Sequence, residues 1–154
     1  MVLQELLKAN TIRTDIGQLD KWTAIERLAD LIVDSGKATD RAALLDAILN
    51  REKQGSTGLG NGIAIPHART DGVRDVAVAL GVSASGMDFD SADGKPCHLI
   101  FLIAAPLHES TRYLEALAAV ASLGERASLV AQLKSVRSVD DALAFFKSYR
   151  KQSE

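Results

Sequence analysis

The chain has 154 residues, 47% of them hydrophobic and 25% charged, with a formal net charge of -2 and a pI near 5.9. That is enough chain to bury a core as one domain without disulfide or metal staples, and the charge balance leaves no electrostatic footprint for nucleic acid or anionic lipid. No run approaches the ~18 apolar residues of a membrane span, and MVLQELLKAN lacks the basic-then-apolar pattern of a signal peptide, so a cytoplasmic protein without membrane insertion is expected.

LDKWTAIERLADLIVDSG reads as a helix in which Asp20 caps the start, Ile25, Leu28, Ala29 and Ile32 form the apolar face, and Gly36 suits a left-handed exit. Thr39 or Asp40 starts a second helix, with Leu44, Leu45, Ile48 and Leu49 buried and Gly55 as the stop. RDVAVALGVS and PCHLIFLIAA read as strands, and the second, apolar on both faces, belongs in the middle of a sheet. Asp93-Gly94 and Pro96 supply turn chemistry between them. After Pro106 a helix is predicted with Ser110 or Thr111 as cap, Leu114, Leu117, Ala118 and Ala121 inward, and Gly124 as the stop. A helix around residues 126–135 follows, then a last one opened by Ser138-Val139-Asp140-Asp141 and ending near Tyr149. Helices mixed with strands in this order predict a single α/β domain over residues 1–154 with a mixed sheet flanked by helices.

GSTGLGNGIAIPHART, residues 55–70, carries the chemical signal. It is no dinucleotide fingerprint, because Ile63 stands where the third glycine belongs, and no P-loop, because no Gly-Lys-Ser/Thr closes it. His67, His98 and His108 lack metal-ligand spacing, so no metal or other cofactor is implied; His98, within a strand, reads as a satisfied structural histidine. Cys97 is the only cysteine and reads as a buried structural thiol. There is no G-x-S-x-G elbow for an activated serine. What remains is His67 as a nucleophile: neutral imidazole attacks a phosphoryl group, and the phosphoramidate hands it on. Backbone N–H groups freed by glycines, the hydroxyls of Ser56 and Thr57, and the Arg51 guanidinium are candidate partners for the phosphoryl oxygens. Spacing alone leaves a second account open, a plain turn with one surface histidine and an Arg51 that only balances a helix C-terminus.

The run REKQGSTGLGNGIAIPHART resembles the signature of fructose/mannitol-type enzyme IIA domains of the bacterial phosphoenolpyruvate-dependent phosphotransferase system, and most of all their stand-alone nitrogen-regulatory branch. The likeness extends through HLIFLIAAP and the helix after it. It implies an α/β domain whose P-H histidine, His67 here, takes a phosphoryl group from a histidine phosphocarrier protein. Arg51 matches the family's arginine, and Ser56, Thr57, Gly58, Gly60 and Asn61 match its loop. In sugar-transporting members the group passes to a IIB domain; in regulatory members the phosphorylation state governs binding to target proteins. Where many members carry a second histidine early in the following helix, this chain has Tyr113, which donates a hydrogen bond but supplies no positive charge. His108 is the candidate to substitute in space. The departure tilts the expectation from sugar uptake toward regulation, with a phosphorylation-independent binding module of the same fold as a further alternative.

Overall fold

The computed structural model describes residues 2–153, with side chains through residue 149. In chain order the elements are α1 (Val2–Leu6), β1 (Ile12–Arg13), α2 (Lys21–Asp34), α3 (Arg41–Gln54), β2 (Gly58–Gly60), β3 (Ile63–Ala64), β4 (His67–Arg69), β5 (Ala77–Met87), β6 (Cys97–Ala105), α4 (Thr111–Gly124), α5 (Ala127–Lys134) and α6 (Val139–Ser153). The sheet runs β1-β5-β6-β3-β2, with β4 also paired to β6. It is mixed: β5 and β6 are antiparallel, while β3 and β4 both lie parallel to β6.

β6 is central, as its two-sided apolar run requires. Leu99, Phe101, Ile103 and Ala105 face one core with α4, α5 and α6, while Ile100, Leu102 and Ala104 face the other core with α2 and α3. Each fully buried residue of this size contributes about 1.5–3 kcal/mol relative to exposure, so register is pinned from both faces. β4 inherits that register. His67 pairs with Ile103, Ala68 with Ala104 and Arg69 with Ala105, so His67 and Arg69 share the α4 side of the sheet.

The predicted helix starts hold at two sites. Asp20 accepts from the Thr23 amide at 3.0 Å, and Asp40 from the Ala43 amide at 3.1 Å, while Thr39 bonds Gly72 instead. Gly36 takes φ +87°, the left-handed exit expected of it. At α4 the expectation fails. The inward face is Tyr113, Ala116, Val120 and Leu123, one residue out of phase with the predicted stripe, and Leu114 is 59% exposed. Alanine and leucine on both sides of that helix blur its period, and Tyr113 fills the inward position, in the α4-side core and against the His67 ring. Ser110, the predicted cap, makes no side-chain bond to α4; its hydroxyl is used by Arg69.

The segment expected to be a loose glycine loop is instead a β-hairpin, β2 to β3, turning at Asn61-Gly62 with φ of +57° and +84°. Both central residues with positive φ is the geometry that favours Asn-Gly between twisted strands. Among the described residues no helix is long and apolar enough to cross a membrane.

Candidate functional site

The site is built outward from a buried carboxylate. On α3, Leu44, Ile48 and Glu52 lie four residues apart and all three are buried, so the apolar stripe ends in a charge. Glu52 is held by Lys21 Nζ at 3.1 Å, and it accepts from the Thr57 amide at 2.9 Å and from the Thr57 hydroxyl. Asp90 gives Lys21 a second carboxylate at 3.1 Å. Thr57 in turn accepts the Ile65 amide on its carbonyl at 3.0 Å. Pro66 interrupts the edge between β3 and β4, and its carbonyl accepts from Ile103 at 3.0 Å, which fixes where His67 enters the sheet.

His67 Nδ1 lies 2.6 Å from the carbonyl oxygen of Ile65. A carbonyl only accepts, so Nδ1 carries the proton of the neutral ring, and the lone pair sits on Nε2. Tyr113 packs against this ring with centroids 6.3 Å apart, and the Arg69 guanidinium lies 5.9 Å from the Tyr113 ring. Arg69 also donates to Ser110 Oγ at 2.8 Å. Burial raises the Tyr113 phenol above its ordinary value, and the nearby Arg69 and Arg51 guanidiniums partly offset that rise. Two cations thus converge on one tyrosine beside a half-buried histidine, an arrangement suited to an incoming dianion.

The structure separates the residues that the sequence grouped. Arg51, on the last turn of α3, donates to Gly55 O at 3.0 Å and acts on Tyr113 from that side. The Ser56 hydroxyl donates to Phe89 O at 2.7 Å and accepts the Gly58 amide, and the Thr57 hydroxyl is committed to Glu52. Gly58 is a glycine for a packing reason: a Cβ there would sit 2.6 Å from Ser91 Oγ and 2.8 Å from Ser91 Cα. The Asn61 amide donates to Asp93 and its side chain to Gly124 O, while Gly60 lies beside Asp93. Gly62 bonds His98 and Leu99, four residues along β6 from the partner of His67, so the hairpin tip stands about 13 Å from the histidine. The hairpin scaffolds the strand that carries His67.

His108 lies in the turn after β6 and makes no hydrogen bond, ion pair or ring contact among the described residues. His98 is structural as expected, its Nδ1 2.9 Å from Ser83 O. Cys97 is buried and its thiol is pushed up to about 12 by desolvation, which makes it a poor nucleophile. No group of three His, Cys, Asp or Glu side chains able to hold a metal occurs among the described residues. Sequence reasoning missed Arg69 and Glu52. The signals were present: Arg69 stands two residues from His67, hence on its face of a strand, and Glu52 continues the Leu44-Ile48 spacing.

Residues 5–149 match the family described as "Phosphoenolpyruvate-dependent sugar phosphotransferase system, EIIA 2". A fructose-specific EIIABC component from Bacillus subtilis is 40% identical over 151 residues, covering 98% of this chain and 24% of that protein. A fructose-specific EIIA component from Haloferax volcanii is 49% identical over 100 residues, 65% of each chain. The chain therefore spans less than two thirds of either relative. The crystal structure of nitrogen regulatory protein IIA-Ntr from Neisseria meningitidis superposes with a TM-score of 0.85 at 31% identity, covering 94% of this chain and 99% of that one.

Proposed function

Since the chain belongs to the type 2 EIIA family of the phosphoenolpyruvate-dependent sugar phosphotransferase system, we propose that it accepts a phosphoryl group on His67 Nε2 from a histidine phosphocarrier protein. The observation that carries this reading is the His67 Nδ1 bond to Ile65 O, which leaves Nε2 unprotonated and the ring fixed. In the step, the Nε2 lone pair forms the new N–P bond as the donor's N–P bond breaks. Its electron pair returns to the donor imidazole, and the proton stays on Nδ1, donated to Ile65 O. Little covalent machinery is required; positioning and charge stabilisation suffice, and Arg51 is one source of that charge. Ser56, Thr57 and the glycines act indirectly, by holding the strand in place.

Two destinations for the phosphoryl group are supported by different findings. Passage to a IIB domain is favoured by the 40% and 49% identity to fructose-specific relatives. Control of target proteins through the phosphorylation state is favoured by the IIA-Ntr structure, matched along 99% of its length. A phosphoryl group adds about 1.5–2 negative charges beside Tyr113, enough to change which surface docks there. Incubation with phosphoenolpyruvate, enzyme I and the phosphocarrier of the same organism is expected to give one acid-labile phosphate per chain, absent in His67→Ala. Discharge by added fructose-type IIB identifies transport; a stable phosphoprotein that changes its bound proteins identifies regulation. A wild-type chain that takes up no phosphate contradicts the transfer reading.

A further inference from the structure

Arg69 and Ser110 are both exposed and belong to neither core. Arg69 stands in the row of His67 on β4, where same-face side chains rise about 6–7 Å apart, within reach of an arginine side chain. Its guanidinium is parked on Ser110 Oγ at 2.8 Å and over Tyr113, against which the His67 ring also packs. Ser110 stands at the N-cap position of α4 but does not cap it; Glu109 accepts the Arg112 amide at 3.2 Å, and the Ser110 oxygen accepts Arg69. A guanidinium bonded to a neutral hydroxyl has a stronger alternative once a phosphoryl dianion is attached next door, because charge-assisted, bidentate bonds exceed neutral ones.

We propose that Arg69 is the phosphate-positioning cation of this site, held by Ser110 while His67 is bare and transferred to the phosphoryl oxygens when His67 is charged, which releases Ser110 at the start of α4. The inference rests on phosphorylation at His67 and deepens it: it names the group that receives the charge and the element that senses the change. The affected helix start is flanked by Leu107 and Leu114, which are 56% and 59% exposed, so the handover alters order within an apolar surface beside the site.

The test compares wild type, Arg69→Gln, Arg69→Lys and Ser110→Ala with phosphoenolpyruvate, enzyme I and the phosphocarrier. Initial labelling of His67 is followed together with the amide resonances of residues 110–113. Arg69→Gln is expected to label about tenfold or more slowly and to lose the phosphorylation-dependent shifts of those amides. Arg69→Lys restores part of the rate, because the charge remains while the planar fork is lost. Ser110→Ala, which leaves Arg69 unparked, labels at least as fast as wild type but also loses the amide shifts. The proposal is overturned if Arg69→Gln labels at the wild-type rate, or if Ser110→Ala is slowed as much as Arg69→Gln. An unlabelled wild type instead overturns the transfer reading, so the two failures are distinguishable.

Discussion

His67 and His98 use the same device. Each ring places Nδ1 on a backbone carbonyl, Ile65 O at 2.6 Å for one and Ser83 O at 2.9 Å for the other. Both bonds select the same neutral tautomer and leave Nε2 without a proton. The surroundings differ. The His67 ring lies beside Tyr113, toward which Arg69 and Arg51 converge. The His98 ring is flanked by Gly62 and Gly86, where a Cβ on Gly86 would lie 3.3 Å from its Nε2, and it lines a cavity with Asp93, Lys95 and Lys134 rather than packing on a tyrosine. Fixing a tautomer is therefore common to both histidines, and what separates them is the tyrosine beside His67 toward which two guanidiniums converge.

The comparison breaks most forcefully at Glu52. The strand carrying His67 is tied through Ile65 and Thr57 to this buried carboxylate, whereas His98 sits on the central strand and needs no such tie. Glu52→Ala leaves Lys21 only the exposed Asp90 and strands Thr57, and is expected to cost about 3 kcal/mol or more, read from urea unfolding midpoints. Labelling of His67 in the folded fraction should fall with it.

A second effect appears at alkaline pH, next to His98. Burial raises the Cys97 thiol from 9.0 to about 12, so the fold holds the neutral thiol while the unfolded chain ionises. The stability it contributes is whole below pH 9.0 and is lost as pH rises through about 12, up to about 4 kcal/mol. Cys97→Ala should flatten this limb in unfolding measurements across that window. Part of the remaining slope belongs to Tyr113, which burial raises in the same direction.

The smallest effect sharpens the contrast. Gly86→Ala puts a methyl 2.9 Å from Pro96 Cβ and 3.0 Å from His98 Cε1 at φ +85°, and is expected to cost about 1–3 kcal/mol. It should leave the rate of His67 labelling unchanged.

Local signals were legible. Asp20 and Asp40 cap helices, Gly36 ends one, and the two-sided apolar pattern of residues 99–105 names the central strand. His67 stood out because proline and glycines set it apart. What escaped depended on contacts between distant segments. Whether the Ser56 hydroxyl is free is decided by Phe89, thirty-three residues away, and that of Ser110 by Arg69. The hairpin itself was readable from Asn61-Gly62, but the glycines drew attention to phosphate instead. At α4, alanines on every face left Tyr113 without a clear period to place it.

The most direct measurement labels the imidazole nitrogens of the full chain with 15N, phosphorylates it through the phosphocarrier, and reads the nitrogen–phosphorus coupling by NMR. The account predicts phosphorus on Nε2 of His67, with the proton retained on Nδ1 and His98 unchanged. Phosphorus on Nδ1 of His67, or on His98 or His108, contradicts it.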